Sequence, residues 1–253
     1  MRISAKAFRK VAAIIFILNS WLSQDAIAVP EELQVYMDEF ADVGKPGLDL
    51  HTNYVVSGQE PTNHQFRLTP ELSYGINDHW ESAIYWLTVT NPGELPSTDG
   101  MKLRAKYRPG VAFADSPFYW AVNFEVGQLN QRFYPDETSG EIKFIGVWKT
   151  DPWKVGVNLN IDHALKNHPS QGATTEVDTK IAYQINDRLQ FAAENYSYFG
   201  EINNTSGLPQ GIQTNYLTAI FNLDKWDIDA GIGKVSGQQT ADLVLKMIIG
   251  VPL

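Results

Sequence analysis

From Leu48 onward the chain is written in a two-residue period. The clearest stretch sets Met101, Leu103, Ala105 and Tyr107 against Lys102, Arg104, Lys106 and Arg108. A β-strand turns successive side chains to opposite faces, so this pattern predicts a strand with one apolar and one charged face. The same template predicts about twelve strands. They are Leu48–Val56, Gln65–Tyr74, Trp80–Val89, Met101–Arg108, Phe118–Val126, Glu141–Lys149, Trp153–Asp162, Thr174–Ile185, Leu189–Phe199, Gln213–Leu223, Trp226–Gly233 and Ala241–Val251. Trp80–Val89 and Gln213–Leu223 carry apolar groups on both faces, which leaves their facing open. Pro70 cannot donate to a ladder, and a bulge is expected there.

The connections alternate in length. Turns at 76–79, 150–152, 186–188 and 224–225 are tight and 109–117 is somewhat longer, whereas 57–64, 90–100, 127–140, 163–173, 200–212 and 234–240 are mostly long and rich in Gly, Pro, Asn and Ser. One tight turn occurs twice, as Tyr74-Gly75-Ile76-Asn77-Asp78-His79-Trp80 and as Tyr183-Gln184-Ile185-Asn186-Asp187-Arg188-Leu189. Strict alternation puts every tight turn at one rim, and an even strand count returns both ends of the sheet there. That asymmetry is expected of an all-β, antiparallel transmembrane β-barrel with short periplasmic turns and long extracellular loops. A soluble sandwich has no reason to keep it.

Aromatic residues test the same arrangement. By parity Tyr74, Trp80, Tyr107, Phe118, Trp148, Trp153, Tyr183 and Trp226 all face outward and all flank a tight turn. They are expected to form a belt at one membrane interface, where amphipathic rings are favoured. Near the chain end, Leu243, Leu245, Met247, Ile249, Val251 and Leu253 share a face. This row resembles the terminal signal read by the barrel-assembly machinery, although that signal usually ends in an aromatic.

Arg2, Lys6, Arg9 and Lys10 precede a short apolar run from Val11 to Leu22, and Ala26-Ile27-Ala28 is a small-x-small cleavage site. Residues 1–28 are therefore expected to be a cleaved signal peptide, leaving 29–46 as an N-terminal segment and 47–253 as the barrel. Losing four cations and Asp25 takes the formal charge from −9 to −12, which removes any electrostatic case for nucleic acid. There is no cysteine, hence no disulfide and no thiolate metal site. Within 29–46, the acidic stretch Gln34–Phe40 is open to three placements: a periplasmic tail, an extra strand, or a plug in the lumen.

The inward face is unusually charged. It comprises His51, Arg67 and Glu71; Lys102, Arg104 and Lys106; Glu125, Lys143 and Lys154; Glu176, Asp178 and Lys180; and Glu194, Asp227, Asp229, Asp242 and Lys246. Charges in a narrow lumen need partners, so these residues read either as a ladder of ion pairs filling the barrel or as an electrostatic constriction. Catalytic signals are thin. His168-Pro169-Ser170 superficially resembles the His-x-Ser pairing of outer-membrane phospholipases, but the proline and the loop position argue for an accident of sequence. His51 beside Asp49 and Asn53 reads as a hydrogen-bonded lumen histidine, because no second histidine is spaced to complete a metal site. No catalytic residue, metal or cofactor is expected.

Gln34–Phe40, Gly47-Leu48-Asp49-Leu50-His51-Thr52-Asn53-Tyr54 and Arg67-Leu68-Thr69-Pro70-Glu71-Leu72-Ser73-Tyr74-Gly75 resemble a group of proteobacterial outer-membrane proteins. They are similar to the barrel family assigned to phenol-degradation pathways. The resemblance implies an outer-membrane barrel passing aromatic or other small hydrophobic compounds, and no catalytic motif accompanies it. The expected function is a monomeric or weakly oligomeric narrow channel for small molecules, with outer-membrane lipid, the assembly machinery and a small solute as partners. The alternative is a closed structural or interaction barrel working through its external loops; an outer-membrane lipid hydrolase is the third and weakest reading.

Overall fold

A computed structural model describes residues 33–60, 62–130, 137–166, 172–204, 212–236, 241–251 and 253. The proposed signal peptide and the His168-Pro169-Ser170 triplet lie outside these residues. The described strands are β1 (Pro46–Gly58), β2 (Phe66–Gly75), β3 (Trp80–Thr90), β4 (Ser97–Tyr107), β5 (Phe118–Leu129) and β6 (Thr138–Thr150). They continue as β7 (Trp153–Lys166), β8 (Thr174–Asn186), β9 (Leu189–Glu201), β10 (Ile212–Leu223), β11 (Trp226–Ser236) and β12 (Ala241–Val251). Each pairs antiparallel with its neighbours in sequence, and β1 closes on β12, from Leu48 opposite Val251 to Gly58 opposite Ala241.

The fold is inside out relative to a soluble protein. Leu72, Leu103, Phe144, Leu217 and Leu245 are exposed on the outer wall, while Arg67, Lys106, Asn158, Glu194 and Lys246 are buried. This is the transmembrane-barrel solution: backbone groups pair around a closed ring, and the outer wall meets hydrocarbon. The two strands of open facing resolve by register. Glu81, Ala83, Tyr85, Leu87 and Val89 of β3 are buried, as are Thr214, Tyr216 and Thr218 of β10.

The repeated tight turn works through its asparagine. Asn77 Oδ1 accepts from the backbone N–H of His79 at 2.8 Å and of Trp80 at 2.9 Å, and Asn186 Oδ1 accepts from Arg188 N–H at 2.9 Å. A side chain that bonds its own backbone two residues on stabilises a turn of this kind. Around the same rim, Trp80 lies tilted against Tyr107 at 5.0 Å between ring centroids, Trp153 meets Tyr183 edge to face at 4.6 Å, and Phe118 is the cross-strand partner of Trp148.

Two sequence expectations need correction. Pro70 causes no bulge: Leu68 opposite Thr88 and Glu71 opposite Tyr85 keep one register, so the missing donor is absorbed by a gap in the β2–β3 ladder. The strands also run further toward the long-loop rim than alternation indicated, with β4 starting at Ser97 and β7 ending at Lys166. In these extensions the alternation of apolar and polar residues is lost while the pairing continues.

Residues 33–42 do not join the sheet. Leu33, Val35, Tyr36 and Met37 are almost fully buried inside the ring, and the segment leaves at the tight-turn rim, where Val43 bridges Gly75. Leu33 and Val35 pack with Val55, Tyr196, Tyr216 and Val244; Tyr36 and Met37 pack with Tyr119, Ala121, Ile145 and Val147. Phe113, from the longer turn between β4 and β5, closes over this second cluster.

Candidate functional site

The lumen is built around the segment it encloses. Asn158 of β7 bonds both backbone groups of Tyr36: it accepts from Tyr36 N–H at 2.7 Å and donates through Nδ2 to Tyr36 O at 2.9 Å. A side-chain amide thus supplies the backbone partners that no strand provides. The Tyr36 hydroxyl shares a hydrogen bond with Tyr85 at 2.8 Å and accepts from Arg104 Nη1 at 2.9 Å. Its ring lies 4.6 Å from Lys143 Nζ, 5.0 Å from Lys106 Nζ and 5.4 Å from the Arg104 guanidinium carbon. Three cations thus lie within cation–π distance of one aromatic ring.

Arg104 organises this wall. Its Nη2 reaches Glu71 Oε1 at 2.7 Å and also pairs with Glu81, while Nη1 donates to Tyr85 at 2.6 Å. His51 Nε2 lies 3.1 Å from Glu71 Oε2. Glu81 accepts from the backbone N–H of Ala41 at 2.5 Å, Lys106 donates to Glu39 O at 2.8 Å, and Lys154 donates to Asp38 at 2.7 Å. Gly156 clears space for Met37, since a Cβ there would overlap the Met37 sulfur. Across the lumen, Lys246 Nζ donates to Glu194 at 2.5 Å and to Leu33 O at 3.0 Å. Glu194 also pairs with Lys180 at 3.0 Å, and Lys180 with Asp229 at 2.6 Å. The segment is therefore tied near both ends, by Lys246 at Leu33 and by Glu81 at Ala41.

Most of the residues expected in the lumen are buried in the wall: His51, Arg67, Glu71, Arg104, Lys106, Glu125, Lys143, Asp178, Lys180, Glu194 and Lys246. Lys102, Lys154, Glu176 and Asp229 are half-buried, and Asp227 and Asp242 are exposed. Arg67 stands apart from the central segment and pairs with Asp99. Asp227 and Asp229 line a cavity of 650 Å³ that lies beside the segment at the tight-turn end, with Asp49, Ser73 and Asn222. Among the described residues no cluster of His, Asp and Glu has the geometry to hold a metal ion.

Sequence reading missed several members of the site. Glu81 and Tyr85 were recoverable, because an outward Trp80 places both inward by alternation. Asp99 was not: between Leu87–Gly100 and Thr88–Thr98 the β3–β4 ladder shifts, and the extra residue is Asp99, fully buried against Arg67. Gly100 sits at φ +155°, a conformation that favours glycine and lets the bulge re-aim its neighbour. Tyr36 and Asn158 carry no sequence signal for their pairing, since they stand 122 positions apart.

No protein-family model and no curated protein sequence matches the chain, so the likeness to the phenol-pathway barrels gains no support there. Solved structures do match. A KdgM porin in complex with disordered oligogalacturonate superposes with a TM-score of 0.56 at 10% identity, covering 82% of this chain and 99% of the porin. The translocator domain of the autotransporter NalP from Neisseria meningitidis gives 0.48 at 11% identity, over 85% of this chain and 91% of that domain. OmpF of Salmonella typhi, in complex with daunomycin, gives 0.42 at 8% identity, over 82% and 96%. The likeness to the KdgM porin shows the fold alone: this chain has the closed antiparallel barrel of outer-membrane proteins.

Proposed function

We propose that the protein is an outer-membrane channel for small molecules, with its tight turns in the periplasm and residues 33–42 acting as a plug that closes the lumen until displaced. The observation that carries this reading is the seat of Tyr36. The segment is held by side-chain contacts and by no strand pairing, so it can leave without breaking the sheet. Its departure would bare Arg104, Lys106, Lys143 and Tyr85, a set that receives an aromatic ring by cation–π and hydrogen-bond contacts. Small aromatic solutes are accordingly the favoured cargo, as the family resemblance implies. The apolar outer wall supports residence in membrane lipid, and the outward row ending β12 supports handling by the barrel-assembly machinery.

The test is single-channel recording of the refolded mature chain in a planar bilayer, beside a Tyr36→Ala variant whose fold is checked by heat-modifiable gel mobility. The wild type is expected to open rarely, and the variant to show frequent discrete steps. A folded variant as silent as the wild type would overturn the channel reading. It would leave a closed barrel working through its long loops, which the depth of the buried segment otherwise favours as the second reading.

A further inference from the structure

The outer wall carries a feature that the channel does not use. Across β8 to β12 a groove of about 570 Å³ is sunk into the lipid-facing surface. Its floor is Ala193, a small residue among the larger outward side chains Ile181, Phe191, Leu217 and Ile232. Above this apolar trough the outward face becomes polar. Asn195 and Asn215 stand directly opposite each other, and Asn195 Nδ2 donates to Asn215 Oδ1 at 3.0 Å. Ser197 donates to Asn195 Oδ1 at 2.6 Å, and Lys234 is the cross-strand partner of Asn215 on its other side.

These polar groups stand at the margin of the membrane. Along β11 the outward residues between Trp226 and Lys234 are Ile228, Ala230 and Ile232. A strand tilted by roughly 40° carries Lys234 on the order of 20 Å above the Trp226 belt, near the far edge of the apolar band. Lys234 is exposed and, among the described residues, has no carboxylate partner; the amide nitrogen of Asn215 beside it is likewise uncommitted. A lone cation and an amide donor over an apolar trough complement an anionic head joined to an acyl chain. A lysine that merely reached for water would need no trough beneath it.

We infer that the β8–β12 groove is a binding site for a membrane lipid of the long-loop leaflet whose phosphate-bearing head carries net negative charge, its head on Lys234 and Asn215 and one chain over Ala193. This site is independent of whether the lumen conducts.

Native mass spectrometry of the full mature chain, released from nanodiscs of phosphatidylcholine mixed with phosphatidylglycerol, tests the inference. The wild type should retain phosphatidylglycerol in preference to phosphatidylcholine. Lys234→Gln should lower that retention by about fivefold, the weight of one interfacial lysine. Ala193→Trp fills the trough from the lipid side and should lower retention of either lipid. Equal retention of the two lipids by the wild type, or retention unchanged in both variants, overturns the site. Loss in Lys234→Gln without loss in Ala193→Trp overturns the seated chain, leaving only surface attraction. Retention abolished by inorganic phosphate alone would also overturn a membrane lipid as the occupant.

Discussion

Two stretches of the inner wall treat charge in opposite ways. On β2 to β4, where the central segment passes, unlike charges face each other: Glu81 stands opposite Lys106, and Arg104 spans Glu71 and Glu81 while holding Tyr36. On β5 to β7, toward the long-loop rim, Glu125 stands opposite Glu141 and Glu141 opposite Asp162, with Lys143 reaching Glu141 at 3.2 Å. Like charges directly opposite each other oppose sheet pairing. The first wall is matched to an occupant that supplies backbone carbonyls and N–H groups; the second sets three carboxylates opposite one another across its strands. The difference teaches that the enclosed segment is part of how the wall balances its charges.

Arg104→Ala should break the matched wall hardest. It removes the cation shared by two buried carboxylates, and removing one partner of a buried pair costs about 3–5 kcal/mol, to be read from urea unfolding in detergent. Next in size is Leu103→Arg, one residue away and outward. It should cost roughly 2–4 kcal/mol if Leu103 meets the middle of the bilayer. A negligible loss there would put the assigned faces in error. Gly156→Ala crowds Met37 and should cost about 1–3 kcal/mol through overpacking, while opening 33–42 to added protease. The smallest and most pointed change is Glu141→Gln in the acidic wall. Relieving the like-charge contacts with Glu125 and Asp162, offset by the lost Lys143 pair, should keep stability within roughly 1 kcal/mol of wild type, far from the Arg104 result. A large loss at Glu141 would erase the contrast between the walls.

The barrel was legible because lipid imposes a code: within the apolar band most outward residues are apolar, and at the tight-turn rim many are aromatic. Met101 to Tyr107 obeys that code and could be assigned from seven letters. The interior obeys no comparable rule. Arg104 and Lys246 could be placed facing inward, yet which carboxylate each meets depends on shear and on what fills the lumen. Tyr85 could be reached only through the outward Trp80, because its strand has two apolar faces, and Asp99 was hidden by a bulge that reverses parity. The seat of Tyr36 joins residues far apart in sequence through single side-chain contacts, which leave no period to read.

The buried segment also constrains the order of assembly. A ring of paired strands offers no side entrance, so residues 33–42 either thread a mouth or are in place before the ring closes. Leu33 lies deep, among Val55, Tyr196 and Val244, and its carbonyl is held by Lys246 of the last strand. The final seam is β1 against β12, the beginning of the sheet against its end. Closing that seam over a seated segment encloses Leu33 between Val55 of the first strand and Lys246 of the last. Threading afterwards would push tyrosine, methionine and carboxylates past the same groups one by one. Residues 33–42 would then be the mandrel on which the last strand is laid.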